Sequence, residues 1–452
     1  MNTQEKLGLT SSSDPGESIA VVGGGIAGIA AALDLAKNGI SRVTVYEKSG
    51  QLGGLNSPYR WQDLVCDRFY HVILPSDSFT IEFLGQLGLV DRLHWTDTKS
   101  GFYGGKKLVP FSSTKDFIRF PFLSLYQKFR LGMGILYCAR IGTLDKLDRL
   151  SVPQWMRRVF GQKVYENFWG PLVRGKFGDA AERTSAALLG ATIKRLYGAR
   201  SGARLRERMG TVIGGTRALQ GAAEKRLSEL AVALRLATPV ESLAFRDGKI
   251  MLQSPAGRRA FDKVLLTIPN PEILKIIGDA QISAAWADVM ETEYLGIICV
   301  LLILNRSLSP YYVINVLDKN LPFTGIVEST AVIPEGAFGG RHLVYLPKYV
   351  TQDDPLTKTS DRRIEEDFRE SLRHIFPDLR NEDILHGQVF RENYVQPVHR
   401  PQTAIARPSS RSPLPGVYLA NASLIPNSTL NNNAVLEEAH ETARMMAADR
   451  RT

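Results

Sequence analysis

Apolar residues along this chain fall into two periods, and the switches between them mark its elements. Ile19-Ala-Val-Val22 is continuously apolar and runs straight into Gly23-Gly-Gly-Ile-Ala-Gly28, the pattern of a buried strand ending in a glycine turn. Residues 26–37 are Ala-rich with helical spacing, and Arg42-Val-Thr-Val-Tyr46 reads as a second strand. A helix pattern over residues 81–89, with Gly88 as its stop, leads to a hairpin around residues 102–109 that ends at Pro110. Helical spacing returns through residues 125–136 and 155–160, so residues 117–202 read as a helical insertion. Beyond it the pattern predicts a helix over 216–230, a strand over 237–243, a hairpin turning at Asp247-Gly248, and a buried parallel strand over 263–269. Residues 295–304 form the longest strongly apolar run, about half the length a membrane-spanning helix requires, and read as a buried strand. With residues 341–346 and the amphipathic helix 362–375, they suggest an antiparallel sheet. A last strand, Val417-Tyr-Leu-Ala420, and a helix from about Asn433 close the chain.

Composition adds little to this picture and excludes some classes. The chain has 452 residues, of which 44% are hydrophobic and 23% charged, which suits a soluble protein of two interleaved domains. Three scattered cysteines, Cys66, Cys138 and Cys299, argue against a disulfide framework or metal knuckle and for a reducing, cytoplasmic setting. No metal site is expected. The first sixteen residues are polar and Ser-rich, the pattern of a disordered tail and not of a signal peptide. Net charge is +10, with Lys194, Arg195, Arg200, Arg204, Arg206 and Arg208 clustered mid-chain. An anionic surface, a phosphorylated substrate or simple solvation would each account for that, whereas no nucleic-acid module accompanies it. Residues 119–130 mix Arg119, Lys128 and Arg130 with Phe120, Phe122, Leu123, Tyr126 and Phe129. Two readings stay open there: a peripheral, monotopic membrane face, or a core helix with snorkelling cations, the latter favoured on general grounds.

The chemistry is concentrated in the first glycine turn. Gly23 suits the tight strand-to-helix turn, Gly25 a close backbone approach to a diphosphate, and Gly28 close packing of helix on sheet. The helix opening at Gly25, with Ile26 and Ala27 in its first turn, directs its amides and positive dipole end toward that anion. Glu47 closes the second strand 19 residues past Gly28, where an acid reaches a ribose diol. After it, Lys48-Ser-Gly-Gln-Leu-Gly53-Gly54-Leu55 brings a second pair of glycines toward the same diphosphate.

That extended pattern, together with Cys66-Asp-Arg-Phe-Tyr-His-Val72, Phe168-Trp-Gly-Pro-Leu-Val-Arg-Gly-Lys-Phe-Gly178 and Gly416-Val-Tyr-Leu-Ala-Asn421, resembles the superfamily of FAD-dependent amine oxidases, protoporphyrinogen oxidases and phytoene desaturases. The resemblance implies an α/β fold: a Rossmann-type, glutathione-reductase-like FAD-binding domain with an α+β substrate domain and a helical insertion. The expected division is a tail (1–17), FAD-binding segments 18–75, 205–275 and 412–452, substrate segments 76–116 and 276–411, and the insertion at 117–204. FAD is the implied cofactor, with Val240 near its adenine, and Asn421, Asn432, Ala434 and Val435 along the C-terminal approach to the flavin. His71 takes the place of a residue beside the flavin ring, flanked by Tyr70 and Arg68. Strand alternation would set His71 on the face opposite Arg68 and Tyr70. Arg174 and Lys176 are candidates to hold an anionic substrate group, and Arg391, Tyr394 and Gln396 to line the pocket. In Pro426-Asn-Ser-Thr-Leu-Asn-Asn-Asn433 this chain departs from the pattern, because Thr429 and Leu430 stand where an Arg-Gly pair is expected.

The expectation is an FAD-dependent oxidoreductase that abstracts hydride from a lipophilic small molecule, in specialised biosynthesis. Two alternatives remain: a non-redox flavoenzyme similar to UDP-galactopyranose mutase acting on a sugar nucleotide, and a catalytically inactive flavin-binding scaffold. Substrate identity, electron acceptor and oligomeric state are not legible.

Overall fold

In a computed structural model, the structure describes residues 16–140, 144, 146–198, 207–277, 292–401, 409–425 and 431–449. Two sheets organise them. The first is a five-stranded parallel sheet in the order Val417–Leu419, Lys263–Leu266, Ser18–Val22, Arg42–Tyr46, Ala233–Arg235. Its strands come from three widely separated stretches of sequence, brought together by in-register pairs such as Ile19 with Val43 and Val21 with Leu265. Helix Ile26–Lys37 is so rich in alanine and glycine that it packs flush on this sheet, and helices Gly215–Glu229 and Asn432–Ala448 join it through Leu219, Ala223, Leu227, Ala439 and Ala443.

The strand expected over residues 237–243 is displaced. The sheet is extended instead by Ala233–Arg235, and Ala237 turns the chain with a positive φ of 49° before the hairpin Ser242–Arg246 and Lys249–Ser254 begins. Local apolar spacing did not separate these two stretches, since the choice rests on pairing with Arg42–Tyr46, almost two hundred residues earlier. The turn of that hairpin lies where the sequence puts it, with Asp247 and Gly248 both at positive φ.

The second sheet has seven strands in the order Ile384–Pro397, Tyr294–Leu304, His342–Val350, Gly325–Glu328, Val313–Val316, Ser100–Gly104, Lys107–Pro110. Tyr294–Leu304 is buried along its whole length because both faces of the sheet are covered. Ile298, Val300, Leu302 and Leu304 meet Ile364, Phe368 and Leu372 of helix Asp361–Ile375. Ile297, Cys299, Leu301 and Ile303 face the other way, toward Leu64, Cys66 and Phe69. A continuous apolar run was therefore needed in place of alternation.

Between Lys107–Pro110 and Arg208–Val212 the main described elements are helices: Thr114–Arg119, Leu125–Ala139, Val152–Phe160, Gly170–Phe177 and Ala186–Gly198. The first three open on serine capping boxes, at Ser113, Ser124 and Ser151. The core-helix reading of residues 119–130 holds for Phe120, Phe122, Leu123, Gln127 and, farther on, Leu131. Leu125, Tyr126 and Phe129 point to solvent.

Candidate active site

The glycine turn shows which glycines serve the protein and which leave room for something else. Gly23 sits at φ 111°, and a Cβ there would meet Thr267 Oγ1 at 2.5 Å. A Cβ on Gly28 would lie 1.9 Å from the Gly23 carbonyl oxygen, so helix and turn touch backbone to backbone. Gly25 differs: a Cβ on it would meet nothing within 4 Å. Gly25 is the N-cap of helix Ile26–Lys37, with no side chain capping it and no acid in the first turn. Open space at the positive end of this helix is what a bound diphosphate would fill.

The second glycine pair docks against the first. The Gly53 amide donates to the Gly24 carbonyl at 2.8 Å, and Gly53 and Gly54 take φ values of 119° and 58°. Leu52 packs against Gly24 beneath them, Leu55 is half-buried against the cluster around Phe69, and Lys48 is exposed. Glu47 is buried, and its carboxylate accepts from the Gly24 amide at 2.6 Å and the Ser49 amide at 2.8 Å. Its backbone is clamped between Arg235 and Thr238, which sets Val240, half-buried against the Phe261 cluster, two residues beyond that clamp. A tight turn, an uncapped helix end, a second glycine loop and a positioned acid together fit the diphosphate and ribose of FAD.

At the C-terminal end the asparagines are structural as well as local. Asn431 caps helix Asn432–Ala448 by accepting from the Ala434 amide, one residue before the start expected from sequence. Asn432 and Asn56 exchange side-chain hydrogen bonds at 3.0 and 3.1 Å, tying this helix to the residues just after Gly54. Ala434 is buried and Val435 packs on the core beside it. Asn421 is buried too, donating to the Ile268 carbonyl and to Asn270, so both parallel-strand ends meet there. Residues 426–430, including Thr429 and Leu430, lie outside the described residues, as do Arg200, Arg204, Arg206 and residues 1–15 of the tail.

From the cradle the chain passes directly to the residues read as catalytic. The Arg68 amide donates to the Ser57 carbonyl, three residues after Gly54. Strand Leu64–Asp67 ends there, so the alternation argument for residues 68–71 fails: they follow no strand geometry. Arg68 is instead fixed by a 2.7 Å ion pair with Glu392 and lies over the rings of Phe69 and Phe390. His71 Nδ1 is 2.9 Å from the Phe69 carbonyl; burial pushes its pKa down, against the raising effect of Asp67, so the ring is neutral at pH 7. Tyr70 turns into a cluster that sequence reasoning missed. Its ring lies 6.0 Å from Tyr345, and Tyr349, Cys299 and Tyr312 pack in the same cluster. Burial raises the pKa of all four phenols, that of Tyr349 to about 12. Tyr345 anchors the cluster by donating to the Asp67 carbonyl at 2.6 Å.

The remaining candidates do not gather there. Tyr394 packs edge-on to Tyr294 at 5.8 Å, and Tyr294 lies five residues along its strand from Cys299, about 17 Å away. Gln396 is buried and donates to the Pro397 carbonyl, while Arg391 clamps Asp361 and the carbonyls of Leu356 and Thr357 on the far face of the sheet. Arg174 and Lys176 do not converge. They share helix Gly170–Phe177 at i and i+2, roughly 200° apart around it. Arg174 is exposed, whereas Lys176 is partly buried, and burial with the nearby Arg195 charge lowers its pKa to about 8. Its helix packs against His342–Val350, the strand that carries Tyr345 and Tyr349. Arg195, unremarked as a single residue in the sequence, is held bidentate by the buried Asp77. Among the described residues no three His, Cys, Asp or Glu side chains come together as a metal set.

Residues 26–449 match the family of flavin-containing amine oxidoreductases. The chain belongs to that family. Within it, the chain is 27% identical over 165 residues to protoporphyrinogen oxidase 2 of Arabidopsis thaliana, an alignment covering 35% of this chain and 32% of the relative, so it spans about a third of that relative's length. The amine oxidoreductase fold also superposes on a putative protoporphyrinogen oxidase from Exiguobacterium sp. 255-15, with a TM-score of 0.76 at 18% identity over 97% of this chain and 100% of the other. A reduced UDP-galactopyranose mutase has the same fold, with a TM-score of 0.71 at 14% identity over 96% of each chain. As a family member the chain is an FAD-dependent oxidoreductase with a Rossmann-type nucleotide domain and a substrate domain.

Proposed function

We propose that this oxidoreductase acts on a lipophilic small molecule that packs against the tyrosine cluster formed jointly by the 68–71 segment and the large sheet, as a step in specialised biosynthesis. When bound, FAD supplies hydride acceptance. Gly23, Gly25, Ile26, Ala27 and Gly28 would hold its diphosphate with Gly53 and Gly54, Glu47 its ribose, and Val240 its adenine. Asn421, Asn432, Ala434 and Val435 would shape the approach to the ring. The chain's own residues then bind and exclude water. The observation that carries the reading is the wall of Tyr70, Tyr345, Tyr349 and Cys299: Tyr345 and Cys299 are buried, Tyr70 and Tyr349 half-buried against them, and all four remain neutral throughout the physiological range. Such a surface desolvates an apolar substrate and offers phenol hydrogen bonds without a counter-charge. His71, neutral and fixed by the Phe69 carbonyl, is placed to take or return a proton at its other nitrogen. The partition into three FAD-binding segments, two substrate segments and a helical insertion belongs to the same reading.

Anaerobic mixing of the flavin-loaded enzyme with a panel of apolar, amine and sugar-nucleotide candidates tests it. Bleaching of the flavin absorbance by an apolar compound is the expected result. Turnover only after prior reduction, and only of a sugar nucleotide, would replace it with the mutase-like reading, which the divergence of Arg174 and Lys176 disfavours. FAD that is taken up but is neither bleached by any of these compounds nor active in turnover after reduction would leave the scaffold reading.

A further inference from the structure

Helix Leu125–Ala139 has two apolar sides. Gln127, Leu131, Gly134 and Cys138 are buried on one, where a Cβ at Gly134 would already overlap the Phe160 ring. On the opposite side Leu125 is 78% exposed, Tyr126 and Phe129 68%, Tyr137 55% and Met133 53%, with Leu136 beside them. At 100° per residue these six fall within an arc of about 120°, while the buried four are centred on the other side. Ile118, 60% exposed, is held next to them because Lys128 Nζ donates to its carbonyl. Soluble proteins rarely leave so many large apolar side chains together in water.

The charge around this stripe identifies what it meets. Residues 106–140 contain seven cations, Lys106, Lys107, Lys115, Arg119, Lys128, Arg130 and Arg140, and one acid, Asp116. Asp116 is committed to the capping box of Ser113. The Lys106-Lys107 turn lies beside the start of the helix, since a Cβ on the preceding Gly105 would touch Phe122 at 3.9 Å. The helix has 15 residues, about 22 Å, too short to cross a bilayer, and no described helix is long and apolar enough to do so. We propose that the outward face of Leu125–Ala139 lies in the headgroup region of an anionic phospholipid bilayer, with Leu125, Phe129 and Met133 inserted and the surrounding lysines and arginines on lipid phosphates. The two tyrosines suit that boundary, having apolar rings and wet hydroxyls.

The test is co-sedimentation of the full, flavin-loaded chain with vesicles of phosphatidylcholine, with and without phosphatidylglycerol. Binding to the anionic vesicles should be at least tenfold tighter than to the neutral ones and should weaken as salt is raised. Leu125→Glu with Phe129→Glu should lower it at least about tenfold. Lys115→Glu with Arg119→Glu leaves the apolar face intact, so should fold even if the first variant does not, and should abolish the preference for anionic lipid. Wild-type protein that ignores anionic vesicles, or a charge-reversed variant that binds them as well as wild type, would overturn the proposal. So would a wild-type dimer in sedimentation equilibrium that Phe129→Glu dissociates while vesicle binding is absent, since a second copy would then cover the stripe.

Discussion

The glycine cradle and the tyrosine wall stand next to each other, and they are specified in opposite ways. The cradle is backbone: its shape follows from positive φ at Gly23, Gly53 and Gly54 and from contacts that leave no room for a Cβ at Gly28. Thirty-two residues, from Gly23 to Gly54, contain nearly all of it. The wall is side chain: Tyr70, Cys299, Tyr345 and Tyr349 come from three distant stretches and touch only because the large sheet aligns Cys299 with Pro347 and Leu301 with Tyr345. A local, steric device tolerates almost no substitution, whereas a dispersed, packed surface can change residue by residue. That difference lets the wall change one side chain at a time while the cradle stays.

The comparison breaks most sharply within the cradle. Gly28→Ala puts a Cβ into the Gly23 carbonyl, so the variant should lose both fold and cofactor: purified protein carrying less than about a tenth of the wild-type flavin, with a lowered unfolding midpoint by circular dichroism. Gly25→Val should separate the two properties. Its Cβ meets no protein atom within 4 Å, so the midpoint should hold while flavin content drops about tenfold or more, because the new methyls occupy the space left for the diphosphate. Equal losses in both variants would show that Gly25 is structural.

Glu47→Gln is a smaller step. One carboxamide oxygen replaces the two acceptors that serve Gly24 and Ser49, and charge is lost beside the expected ribose. Weakening of FAD affinity by about tenfold, roughly 1.5 kcal/mol, is expected in flavin titration of the apoprotein.

Lys176 offers a test on the wall's side. Its folded pKa lies near 8 against an ordinary 10.5, so the folded state sheds this proton first and stability should rise as pH increases from about 8 to 10.5. Lys176→Met should remove that rise in denaturant unfolding, and should also remove any limb near pH 8 in the pH profile of activity. The smallest effect belongs to Tyr345→Phe, which deletes only the bond to the Asp67 carbonyl. It should cost about 1 kcal/mol of stability and leave flavin content unchanged, because the cradle does not depend on the wall.

Sequence alone determined what depends on near neighbours. The strand, glycine turn and helix from Ser18 to Lys37, the acid at Glu47, the hairpin turn at Asp247-Gly248 and the fully buried strand 294–304 were all readable, because steric limits on φ and unbroken apolarity act within a few residues. Tertiary structure decided what depends on distant ones. Arg68 meets Glu392 and not an open ring face; Lys176 turns inward while Arg174 turns out; and residues 233–235, not 237–243, complete the parallel sheet. The helix 125–139 shows the limit most plainly. The side that carries Gln127, Leu131, Gly134 and Cys138 is the less apolar of the two in sequence, yet the arrival of Phe160 buries it and leaves Leu125, Tyr126, Phe129 and Met133 facing water. Burial is a property of which surfaces meet, and no stretch of chain carries that information by itself.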